Sequence, residues 1–189
     1  MVSINLQLRG ATMDATKIEK SVLNTLSSAQ YSVSNCSVDV IDVAKRLGFV
    51  VGNAVLNEED DGFIVVEEGR KEIMGIKTDK LIGVNSDRSL EWKRFIIAHE
   101  LGHYILHFKE KNLKGLYAHR DHNRGHNELE NEADFFAANL LMPRESFEKK
   151  YKEIKQVYKN DKEVVEALSK HFIVTIRMTE RRIEELGLA

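Results

Sequence analysis

The sequence predicts an α+β fold, with one small antiparallel sheet placed between two groups of helices along the chain. Three observations predict it. Apolar residues recur at helical spacing in the first part of the chain. Short segments, most of them rich in β-branched residues, follow from about residue 49, separated by turn signals. Helical periodicity then returns at about Leu90.

Each element follows from its residues. Ile18, Val22, Leu23 and Leu26 place a helix over residues 14–30, which Asp14 can cap. A shorter helix fits residues 38–47, with Gly48 as its stop. Strands are expected at 49–55, 62–67, 72–78 and 81–85, with Asp61-Gly62 and Glu68-Gly69 among the turns. A mostly apolar helix runs from about Leu90 to His107, and a polar segment, 109–126, follows it. The next helix, about 128–142, stops before Pro143, the one proline of the chain. Residues 144–186 read as two or three charged amphipathic helices. The 189 residues are read as a single domain, 1–189, with its core at about 38–143 and a C-terminal helical region at about 144–189.

A formal net charge of -2 gives no bulk attraction to nucleic acid or an anionic membrane. With Cys36 alone, no intrachain disulfide can form, which suits a reducing compartment. No stretch approaches the roughly 20 apolar residues of a membrane span. The first residues lack the apolar core of a signal peptide, so a cytoplasmic protein is expected.

The chemistry concentrates in FIIAHELGHYILH, residues 95–107. His99 and His103 are one helical turn apart, so both imidazoles face one point, where two nitrogens can take a metal. Glu100 projects beside that point and can take a proton from a water the metal activates. The surrounding residues are apolar, and buried ionisable groups are costly unless paired or metal-bound. A catalytic metal needs a third protein ligand from another element. Residues 128–143 offer Glu128, Glu130, Glu132 and Asp134. Glu130 and Asp134 share a helical face, so Glu130 can ligate while Asp134 accepts the free N–H of a ligand histidine. Glu132, about 200° round the helix from Glu130, is the rival ligand. Glu128 suits the helix dipole.

Together, RFIIAHELGHYILH (94–107) and ENEADFFAANLLMP (130–143) resemble the ImmA/IrrE metallopeptidases, and the likeness extends over roughly 38–143. The resemblance implies a zincin-like fold and a metallo-endopeptidase that makes a site-specific cut in a helix-turn-helix repressor, often encoded nearby on a mobile element or in a stress regulon. It implies His99, His103 and Glu130 as metal ligands, Glu100 as catalytic base and Asp134 as the carboxylate behind a ligand histidine. Zn²⁺ is the expected metal, and Mn²⁺ can use the same set.

Leu81–Asn85 is the candidate edge strand for binding substrate by strand addition. His107 is read as a helix-end packing residue, and His119, His122 and His126 as members of a polar loop able to act as a lid. The C-terminal helices are read as a packing or substrate-docking region. Their vague likeness to a helix-turn-helix, with Arg177, Arg181 and Arg182 on the second helix, makes a DNA-binding regulator one alternative, although direct nucleic-acid binding is not the expectation. The other alternative is a non-catalytic module that inactivates a repressor by complex formation, which would have no need of Glu100.

Overall fold

The computed structural model describes residues 14–33, 37–67, 69, 72–109, 115–120 and 128–188. In chain order the elements are α1 (Ala15–Ser28), α2 (Val40–Arg46), β1 (Val50–Ala54), β2 (Asp60–Val66), β3 (Lys80–Asn85), α3 (Leu90–His103), β4 (Gly115–Arg120), α4 (Glu128–Leu141), α5 (Arg144–Val157), α6 (Asp161–Phe172) and α7 (Ile176–Glu185). The class is α+β. Capping residues start the helices: Asp14, as expected, accepts from the Lys17 N–H, Asp39 from the N–H groups of Ile41 and Asp42, and Ser89 from that of Trp92.

The four strands lie in the order β1-β3-β2-β4. β2 pairs antiparallel with β3 and with β4, as expected of an antiparallel sheet, but β1 pairs parallel with β3, so the sheet is mixed. The physical reason is that β2 turns back without pairing to β1, and β3 then fills the place between them. Leu81–Asn85 is therefore an interior strand and not an edge. Among the described residues the edges are β1 and β4, and β4 comes from the segment read as a polar loop. Residues 72–78 do not form a strand. Ile73 and Ile76 exchange both backbone hydrogen bonds across Met74 (φ 50°) and Gly75 (φ 78°), a two-residue turn with positive φ at both central positions.

Alternation splits the sheet into two faces. Ile64, Val66, Ile82 and Val84 join the main core under the helices, while Phe63, Val65, Leu81 and Ile73 form a smaller cluster on the other face. The main core runs from Ile18 in α1 to Ile183 in α7.

Two buried arginines tie the C-terminal helices to this core. Arg94, on α3, donates to the carbonyls of Val38, Phe172 and Ile173, and burial pushes its pKa below the usual range. Arg182, on α7, donates to the Met142 carbonyl at 3.2 Å and to Asn139 Oδ1 at 2.7 Å. Arg182 thus does not share an exposed basic face with Arg177 and Arg181, which do face solvent. Arg182→Ala strips these acceptors of their partner and opens a void, so it should cost about 3–5 kcal/mol, read by urea unfolding. A loss below about 1 kcal/mol would mean that α7 is not anchored there.

Candidate metal centre

α3 is apolar on nearly every side and buried from Arg94 to its end, which is what a helix passing through a core requires. It packs against α4 at close range because residue 102 is glycine. A Cβ there would sit 3.1 Å from the Ala133 Cα and 3.2 Å from its carbonyl oxygen. On the sheet side, a Cβ on Gly62 would lie 2.5 Å from Ile96 and 2.8 Å from the Gly83 carbonyl oxygen, with the Glu100 carboxylate 3.8 Å away. The two missing side chains let β2 and α4 close on the same turn of α3. Asp61 braces the sheet side further, accepting from Trp92 Nε1 at 3.0 Å and pairing with Arg88.

This packing brings three side chains to one point. His99 Nε2 and His103 Nε2 are 2.9 Å apart, His99 Nε2 is 3.2 Å from Glu130 Oε2, and His103 Nε2 is 3.5 Å from Glu130 Oε1. Tetrahedral zinc with bonds of about 2.0–2.1 Å needs ligand atoms about 3.3 Å apart. The three separations bracket that value, so His99, His103 and Glu130 fit such an ion as a two-nitrogen, one-oxygen donor set. Behind it, His99 Nδ1 lies 2.9 Å from Asp134 Oδ1. The ring donates its Nδ1–H to that carboxylate, which directs Nε2 at Glu130 and His103, so that once Nε2 gives up its proton its lone pair faces that point. Glu100 is fully buried on the same helix turn.

The rival carboxylates go elsewhere. Glu132 Oε2 is 3.8 Å from His107 Nδ1, and Glu128 is exposed in the first turn of α4. His107 is buried, with Nε2 3.2 Å from the Leu129 carbonyl oxygen. The sequence offered no signal for that contact beyond its spacing from His103. The His119 backbone pairs with Gly62 in β4; its side chain, and all of His122 and His126, lie outside the described residues. A groove of about 430 Å³ opens beside Asp134, with Trp92, Phe95, Met178 and Arg181 among its walls.

Burial alone would lower the pKa of His99. The hydrogen bonds that the ring donates to Asp134 and Glu130, and the charge of Glu100, outweigh it and raise that pKa to about 9. The metal-free centre therefore holds a proton at neutral pH that a metal must displace. Zinc affinity should rise about tenfold per pH unit up to about pH 9, then level off, as read by chelator competition. A folded-state pKa above the unfolded value of about 6.5 stabilises the fold fully below pH 6.5. That contribution fades as pH rises through about 9, so the Tm of the EDTA-treated protein should fall over this range. A flat affinity profile would contradict the displaced proton.

Residues 44–184 match the family described as the IrrE N-terminal-like domain, a family of metallopeptidase type. No curated protein matches the chain significantly. Among solved structures, a Mycobacterium tuberculosis transcriptional regulator shares the fold with a TM-score of 0.53 at 13% identity. The match covers 88% of this chain and 46% of that one, so this chain spans about half the length of its structural relative. No helix among the described residues is long and apolar enough to cross a membrane.

Proposed function

Since the chain belongs to the IrrE N-terminal-like family, we propose that it is a zinc-dependent endopeptidase making a site-specific cut in a helix-turn-helix transcriptional repressor. The observation that carries this reading is the convergence of His99, His103 and Glu130 on one point beside the buried Glu100. A solved chain of this fold described as a transcriptional regulator is compatible with a regulatory setting.

His99, His103 and Glu130 would hold the zinc, which would supply a Lewis acid for the scissile carbonyl and make a nearby water more acidic. The protein's own residues do the rest. Glu100 takes the proton from the attacking water and passes it to the leaving amine. Its burial keeps competing solvent away from the attacking water. Asp134 holds the His99 ring in one tautomer and orientation. β4, an edge strand antiparallel to β2, replaces Leu81–Asn85 as the strand on which an extended substrate adds. The C-terminal helices dock the body of the substrate, a role supported by the groove that reaches from α7 to Asp134.

The test is incubation with the repressor encoded beside the gene, read by intact mass spectrometry, with Zn²⁺ or Mn²⁺ added. A single cut by the wild type, absent with Glu100→Gln, supports the reading. Tight binding of that repressor without any cut would instead favour a module that acts by complex formation.

A further inference from the structure

The helix that carries His99 and His103 does not end as an α-helix. From Tyr104 to Phe108 it widens into a π turn, in which the Lys109 N–H donates to the Tyr104 carbonyl at 2.9 Å. In a continuous α-helix each four-residue step rotates a side chain about 40° further, so residue 107 would drift off the face that holds residue 99. The wider turn winds less per residue and takes back part of that drift. Single π turns of this kind recur at functional sites. Here the result is a buried His107 whose ring centroid lies 5.3 Å from that of His103.

His107 does not aim at the point shared by His99, His103 and Glu130. Its Nε2–H donates to the Leu129 carbonyl at 3.2 Å, and its Nδ1 faces Glu132 Oε2 at 3.8 Å. Both ring nitrogens are thus directed at α4, at the residue before Glu130 and at the second residue after it. We propose that His107 is a positioning residue that holds the first turn of α4 against the end of α3 and so sets where Glu130 stands. The proposal rests on the reading of Glu130 as a metal ligand.

The mechanical need is specific. α4 is pinned in its body, where Ala133 meets Gly102 and Asp134 meets His99. Glu130 lies one turn before those contacts, near the helix start, where helices fray. Around it, Leu129 and Glu128 are exposed. The bond from His107 to Leu129 is a second anchor on the other side of Glu130. With both anchors in place the carboxylate is held ready for the ion, and binding need not order it.

Zinc affinity, measured by competition with a chromophoric chelator, tests this on His107→Gln and His107→Asn, each with and without Glu130→Ala. A glutamine amide reaches as far as Nε2 and can still donate to Leu129, whereas an asparagine amide reaches only the place of Nδ1. His107→Gln should stay within about threefold of wild type, and His107→Asn should bind zinc about 10–100-fold more weakly, the range for partners that orient ligands. The visible spectrum of the Co²⁺-loaded Asn variant should change with it. In the Glu130→Ala background the Asn penalty should vanish, because His107 acts through Glu130. Equal behaviour of Gln and Asn, or a penalty that persists in full without Glu130, would overturn the proposal. Wild-type zinc affinity in Glu130→Ala alone would remove the ligand assignment beneath it, a separate and recognisable failure.

Discussion

Glu100→Gln should lower kcat by about 10²–10⁴-fold, the usual worth of a positioned acid–base group, and leave the protein folded and loaded with zinc. The amide has nearly the same shape as the carboxylate, so this fully buried position is neither emptied nor overfilled. It cannot accept a proton from water at neutral pH, so the chemical step loses its base. It also takes one negative charge away from His99, whose raised pKa owes part of its shift to Glu100, so the metal-free centre should give up its proton at lower pH. Metal content, thermal melting and single-turnover cleavage separate these effects. Full activity with a full complement of zinc would exclude Glu100 as the base.

The second large effect is expected at Gly102, and it acts through packing. Even a single Cβ there meets the Ala133 backbone at 3.1–3.2 Å, and Phe136 Cβ at 3.2 Å. Gly102→Val adds two methyl groups to that contact, and the neighbours are mostly backbone, which cannot rotate away. α3 and α4 must separate, at a cost of about 3 kcal/mol or more. The same separation moves Glu130 and Asp134 away from His99, so zinc affinity should fall by at least about tenfold, a loss comparable to removing an orienting partner. Gly102→Ala should show both effects in milder form. A Val variant with wild-type stability and zinc affinity would mean that the helix spacing is set elsewhere.

What could be read from the sequence follows the range of each interaction. His99, Glu100 and His103 are fixed relative to one another by one turn of helix, so spacing alone is enough to place them. The separation of Glu130 from Asp134 is equally local. Which of Glu130 and Glu132 turns towards the histidines depends on how α4 lies on α3, and Gly102 and the π turn decide that through contacts between distant residues. Strand order failed for the same reason. Nothing local in Leu81–Asn85 distinguishes an interior strand from an edge. β4 is hidden in a segment whose polar residues read as a loop. Residues 72–78 read as a strand because Ile73 and Ile76 carry β-branched side chains, whereas Met74-Gly75 form a turn with positive φ. Arg94 follows Glu91 and Lys93 at the charged start of α3, and Arg182 sits in a helix rich in charge; an arginine in either place ordinarily faces water, and acceptors brought from distant parts of the chain explain their burial.

Arg94 carries a practical consequence for anyone designing a minimal catalytic fragment. A chain cut after Pro143 would keep every proposed metal ligand and would look sufficient on its motifs. Yet two of the three carbonyls that receive the Arg94 guanidinium, those of Phe172 and Ile173, would go with the discarded helices. A buried cation would then be left on the helix of His99 and His103, with only Val38 to accept from it. The far end of the chain serves as a keystone for the metal helix, so deletions there should be read as perturbations of the catalytic scaffold before they are read as losses of a separate activity.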